Sequence, residues 1–172
     1  KRGRLKEHAS LRYTTRTLPI RFVVIHHSLT TQGSAEAFAR YHVEVNGWPG
    51  IGYHYVVNKD GSIDWCWDHD VKSYHVGNHN NYCVGICLVG DFRTEQPTVA
   101  QLQSAHWLIR EKLGNFDTAH IIGHSELEGY ATKLCPVISM DAFREAHAKI
   151  SLSVAEALEI LRVAGYTCHK DI

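Results

Sequence analysis

The sequence has no excess of either charge: 18 Lys and Arg face 18 Asp and Glu across 172 residues, for a formal net charge of zero. That balance removes the electrostatic basis for binding nucleic acid or an anionic membrane surface, so neither partner is expected. No apolar run approaches the roughly 20 residues that a helix needs to cross a bilayer, which excludes a helical membrane span. No signal peptide is visible. The chain opens on Lys1 rather than Met, which is read as trimming, so a leader is left open. Internal repeats and low-complexity segments are also lacking, and the length fits one domain with short appendages.

The five cysteines, Cys66, Cys83, Cys87, Cys135 and Cys168, contain no C-x-x-C pair, and a chain of this length needs no disulfide framework. Cys83 and Cys87 stand four apart in an apolar strand. They share a face but lie too far apart along it to bond, and are read as small core residues. Cys135 differs, because it stands outside any strand in a loop that also holds Lys133. The basic run Lys1 to Lys6 lacks aromatic neighbours and is read as a solvated tail.

Apolar runs and turn residues set out an α/β order. Arg21 to His27 reads as a central strand, and Ser34 caps a helix that ends by Asn46-Gly47. Tyr53 to Val57 and Ile63 to Trp67 form a hairpin across Asp60-Gly61. The polar stretch 68–81 reads as a surface loop, followed by a buried strand from Cys83 to Val89. Thr98 and Gln101 form a capping box for a helix running to Gly114-Asn115, on which His106 is taken as a surface or packing residue. Ala119 to Gly123 is the last strand. A helix over 139–150 and a second one, opened by a capping box at Ser153 and ending at Gly165, complete the chain. The expected fold is a central mixed sheet flanked by helices. The expected segments are an N-terminal extension (1–19), a domain (20–150) and a C-terminal helical extension (151–172).

The chemistry concentrates in Gly123 to Pro136, G-H-S-E-L-E-G-Y-A-T-K-L-C-P, directly after an apolar strand. Imidazole and thiolate are zinc ligands, and a neighbouring lysine supplies a fixed positive charge. A further ligand is expected from Val24-Ile25-His26-His27-Ser28, another apolar strand that ends in histidines. His26 and His27 point to opposite faces of that strand, so only one of them reaches the metal, and apolar residues on both faces leave the choice open.

Five motifs occur in one order: V-I-H-H-S at 24–28, G-Y-H-Y at 52–55, H-V-G-N at 75–78, V-G-I through G-D-F at 84–92, and G-H with K-L-C-P at 123–136. Together they resemble the zinc-dependent N-acetylmuramoyl-L-alanine amidases, a family that includes phage lysozyme-amidases and peptidoglycan recognition proteins. The resemblance covers roughly residues 20 to 149. It implies a peptidoglycan recognition protein-like fold and one Zn2+ ion held by His26, His124 and Cys135, with His27 either facing the other side of the sheet or supporting the site. It also implies Lys133 as a stabiliser of developing negative charge and Tyr53 as a residue that orients water or relays a proton. His75, Asn78, Asn80 and Trp48 are implied to line a groove for the stem peptide. His124 and Cys135 are eleven positions apart, longer than in many recognition proteins, so Glu126 to Thr132 is expected to have its own shape.

The implied activity is hydrolysis of the amide bond between N-acetylmuramic acid and L-alanine in peptidoglycan by a monomer. The enzyme would be made in the cytoplasm and act on the cell wall, with a phage or prophage endolysin favoured. The alternatives are a non-catalytic peptidoglycan-binding module and a zinc-stabilised interaction domain.

Overall fold

The computed structural model describes residues 5–114 and 116–163. Its elements are β1 (Phe22–His27), α1 (Ala35–Glu44), β2 (Tyr55–Val57), β3 (Ile63–Trp65), β4 (Cys83–Leu88), α2 (Val99–Glu111), β5 (Ile121–Gly123) and α3 (Met140–Val163). The strands form one five-stranded sheet in the order β3-β2-β4-β1-β5. β1 runs parallel to β4 and β5, β2 runs parallel to β4, and only β3 is antiparallel to its neighbour. The expected mixed sheet is therefore present, with β1 inside it and every residue from Val23 to His27 buried.

Local signals account for most boundaries. Ser34 accepts from the Ala37 N–H at the start of α1. Thr98 and Gln101 exchange both bonds of a capping box, and the Gln101 amide reaches on to the carbonyls of Val57 and Val89. The hairpin turns at Gly61, whose φ of +85° favours glycine. Strand register sorts the side chains into two faces. Val56, Cys87 and His26 are register partners, and Val56 and Cys87 share a core cluster with Ala35 and Ala39 of α1. Tyr55 and Ile86 point the other way, where Tyr55 and Leu108 of α2 line a common groove. The four described cysteines, Cys66, Cys83, Cys87 and Cys135, are free and buried.

Two expectations need correction. The stretch 68–81 is not simply a surface loop: Ser73, His75, Val76 and Asn80 are buried, and its end winds into a 3-10 turn over Gly77–Tyr82. Ser153 does not begin a new helix, because α3 runs unbroken from Met140 to Val163 and the Ser153 hydroxyl donates back to the Ile150 carbonyl. No glycine or proline separates Ile150 from Ser153, so nothing stops the helix there. The Ser139 hydroxyl instead accepts from the Ala142 N–H at the start of α3. The expected end at Gly165 and Cys168 lie outside the described residues.

The chain divides into two compact units, Lys1–Ile138 and Ser139–Ile172. The first contains the sheet, α1, α2 and all the candidate site residues. Among the described residues no helix is long and apolar enough to cross a membrane.

Candidate metal centre

β1 and β5 are parallel neighbours with Ile25 opposite Gly123, so the residues that follow this register emerge side by side at the same end of the sheet. They are His26 and His124, whose ring centroids lie 4.7 Å apart. Beyond His124 the chain turns through a short 3-10 segment and returns, and the Ser125 N–H donates to the Cys135 carbonyl at 2.9 Å. This closure brings the Cys135 Sγ to 3.7 Å from His26 Nδ1. Two ligands on a tetrahedral zinc, at about 2.3 Å for sulfur and about 2.0–2.1 Å for nitrogen, would stand about 3.6 Å apart. One donor atom from each of His26, His124 and Cys135 falls within a group no more than 4.8 Å across.

The electrostatics of the three groups suit a cation. Burial, reinforced by His75 and His124, depresses His26 well below the ordinary imidazole value of 6.5. Burial likewise takes His124 down to about 4, with the Lys133 charge adding to the effect. Both rings are therefore neutral at pH 7 and offer lone pairs. Burial pushes the Cys135 thiol up to about 11, against smaller opposing contributions from its bond to His27 and from Lys133. A cation beside it would favour the thiolate. His124 Nε2 is buried without any hydrogen-bond partner, an uncommon state for a buried nitrogen and one that a metal would relieve. The donor set and the bare nitrogen fit a zinc ion.

A cleft of about 340 Å3 opens above the cluster and is lined by His26, Tyr53, His75, His124, Lys133 and Cys135 on the side of the donors. Trp48, His42 and Tyr74 form another wall, with the His42 and Trp48 rings 4.8 Å apart. Tyr53 lies just ahead of β2 with its ring 5.4 Å from that of His26. Burial, with Cys87 and Cys135 nearby, raises its hydroxyl well above 10, so it stays protonated. His27 emerges at the cleft edge, where its Nδ1 accepts from the Phe92 N–H and its Nε2 donates to the Leu134 carbonyl. It thus ties the segment that follows β4 to the loop that presents Cys135.

The groove residues expected from sequence fare differently. Trp48 and His75 line the cleft, but Asn78 and Asn80 do not. The Asn80 amide oxygen accepts from the N–H groups of His75 and Val76, so it shapes the loop from inside. Sequence reasoning did not pick out Tyr130, whose ring lies 4.6 Å from that of His124, or Arg93, which lines the cleft while gripping Asp91 with two bonds.

A family model described as N-acetylmuramoyl-L-alanine amidase matches residues 16–137. The endolysin of Enterobacteria phage K11 is 29% identical over 137 residues, covering 74% of this chain and 87% of that protein. The N-acetylmuramoyl-L-alanine amidase of Sus scrofa is 30% identical over 129 residues, which are 64% of this chain but 21% of that longer protein. Among solved structures, wild-type Drosophila PGRP-LB is similar at 29% identity with a TM-score of 0.63, over 73% of this chain and 79% of that one.

Proposed function

Because the chain belongs to the N-acetylmuramoyl-L-alanine amidase family, we propose that it hydrolyses the amide bond between N-acetylmuramic acid and L-alanine in peptidoglycan with one zinc ion held by His26, His124 and Cys135. The observation that carries the zinc dependence is the convergence of three donors of zinc-ligating type on one cleft, with His124 Nε2 left bare. Held there by His26, His124 and Cys135, the ion would supply Lewis acidity to the scissile carbonyl and lower the pKa of a water to about 7, so that it could serve as nucleophile.

The remaining work falls to the chain. Water adds to the lactyl carbonyl carbon, the C–N bond breaks, and the proton released ends on the amine of L-alanine. Negative charge grows on the carbonyl oxygen as attack proceeds, and the Lys133 ammonium on the cleft wall opposes it. Tyr53 acts as a hydrogen-bond donor that orients the reacting groups rather than as a base, because its phenol holds its proton. Trp48, with His42 and Tyr74 beside it, forms an aromatic wall for the substrate. His27 links the Lys133-Leu134-Cys135 segment to Phe92 in the segment that follows β4. The endolysins among the relatives support a role in cell-wall lysis.

A second reading, peptidoglycan binding without cleavage, is favoured by the similarity to recognition proteins. The complete His26, His124 and Cys135 set argues for the enzyme. Metal analysis combined with muropeptide digestion separates the readings. One zinc per chain and release of peptides with a free L-alanine amine support the amidase. Binding without release supports the recognition module, and zinc with neither supports a metal-stabilised interaction domain. Cys135→Ala is expected to lose both metal and activity, whereas full zinc occupancy in that variant would remove Cys135 from the ligand set.

A further inference from the structure

The His75 imidazole is buried and both of its nitrogens are engaged. Its Nε2 lies 3.3 Å from the Cys83 carbonyl oxygen, and its Nδ1 lies 3.0 Å from His26 Nε2. A carbonyl oxygen can only accept, so His75 Nε2 must carry the hydrogen and, in the neutral ring, Nδ1 must carry the lone pair. His26 Nε2 then has to be the donor to that lone pair. This leaves His26 Nδ1 unprotonated, and Nδ1 is the atom that stands 3.7 Å from the Cys135 Sγ. One fixed carbonyl therefore sets the tautomers of two rings in succession.

The surroundings hold this arrangement in place. The Asn80 side chain fixes the backbone of His75 at 2.9 Å, and the ring meets those of His26 and His54 edge-on at 5.2 and 5.6 Å. Gly85 of β4 provides the slot, because a Cβ there would stand 2.7 Å from His75 Nδ1. The Cys83 carbonyl is itself held by the Arg16 guanidinium at 3.1 Å, and the same guanidinium donates to the carbonyls of His69, Val71 and Asn81. Arg16 thus clamps both ends of the segment that carries His75.

We propose that His75 is a positioning residue of the metal centre, which holds His26 as its Nε2–H tautomer and so presents Nδ1 to the ion. The metal part of this inference rests on the zinc reading above, whereas the tautomer part does not. An acceptor hydrogen-bonded to a ligating histidine typically contributes 10- to 100-fold in metal affinity.

The test compares full-length wild type with His75→Leu, which removes the acceptor, and His75→Asn, which puts an amide oxygen near the place of Nδ1. Long-range 1H–15N correlation spectra of the metal-free proteins read the imidazole tautomers, and competition against a chromophoric chelator reads zinc affinity. In wild type, His26 is expected as the Nε2–H form. His75→Leu should mix the His26 tautomers and weaken zinc binding 10- to 100-fold, and His75→Asn should restore the Nε2–H form and most of the affinity. The inference is overturned if wild-type His26 carries its proton on Nδ1. It also fails if His75→Leu, shown folded by its melting curve, keeps both tautomer and affinity, or if His75→Asn is no better than His75→Leu. The expected tautomer in a wild type that binds no zinc would uphold the orienting role and sink the zinc reading instead.

Discussion

Replacing Gly85 with alanine adds one methyl group directly against the His75 ring. The new Cβ would lie 2.7, 2.9 and 3.0 Å from Nδ1, Cγ and Cε1 of His75, all atoms of a rigid ring rather than the end of a flexible chain. Neither side can yield easily. The Gly85 backbone is held by the His54 Nδ1, which accepts from its N–H at 3.1 Å, and by the His54 N–H, which donates to its carbonyl at 3.0 Å. The His75 ring is confined by His26, His54 and the Cys83 carbonyl. Overpacking of this kind costs about 1–3 kcal/mol. For a chain of this length that lowers the melting temperature by roughly 2–12 °C, at about 2–4 °C per kcal/mol. Because the displaced atom is the one that receives the His26 proton, zinc affinity should fall along with stability. Calorimetry and chelator competition on Gly85→Ala measure both quantities. A variant that melts with wild type and binds zinc equally well would refute the claim that His75 fills the slot over Gly85.

Two further outcomes are expected. On the proposed mechanism, which gives Lys133 a charge-stabilising part and no place among the ligands, Lys133→Ala should retain zinc binding and lose about 100- to 1,000-fold in turnover, the usual effect of removing one oxyanion-stabilising donor. Turnover near wild type in a muropeptide assay would make Lys133 a bystander. Stability should also fall in mild acid. Burial lowers the pKa of His42 to about 4 and of His54 to about 3, against an unfolded value near about 6.5. The unfolded chain therefore binds more protons in that window, and the contribution of the neutral rings is fully present above about pH 6.5 and is lost as pH falls towards the folded values. Each ring can remove up to about 1.4 kcal/mol per pH unit there, which urea unfolding from pH 7 to pH 4 would register. A flat midpoint across that range would contradict the buried, neutral state of both.

The features legible in the sequence are those with local causes. Ser34 and the Thr98 and Gln101 pair announce helix starts because the capping bonds join residues three apart. Asp60-Gly61 announces the hairpin, and the apolar run from Phe22 announces a strand buried on both faces. His26, His124 and Cys135 came from motif order, which reflects a shared ancestry rather than anything that periodicity could reveal. The stretch 68–81 misled because its polar composition matches that of a solvated loop. Its hydrogen bonds are instead satisfied inside the protein, by Arg16 from ahead of β1 and by the Asn80 side chain. One signal was available: an isolated glycine, Gly85, in an otherwise apolar strand often marks the close approach of another group, and here that group is the His75 ring. Ser153 misled in the opposite sense, since a capping-box pattern is also compatible with a helix interior when the hydroxyl bonds back to the preceding turn.

The eleven positions from His124 to Cys135 are used by the fold and are not slack. Two of the three donors lie on or directly after the adjacent parallel strands β1 and β5, but β5 is the edge strand of the sheet, so no further strand lies beyond it to carry a third. The third donor, Cys135, returns on irregular chain, which needs its own internal bonds to hold it in place. Successive N–H to carbonyl bonds from Leu127 to His124, Tyr130 to Leu127 and Lys133 to Tyr130 supply them, with Gly129 taking a φ of +82°. These turns set Tyr130 over the His124 ring, and His79 donates to the Glu128 carbonyl from the segment that also carries His75. The His75 segment and the Cys135 loop are thus joined outside the cleft as well as within it. Each side of the donor cluster is consequently braced by a group from a different part of the chain: His75 behind His26, Tyr130 against His124, and His27 beneath the turn that presents Cys135.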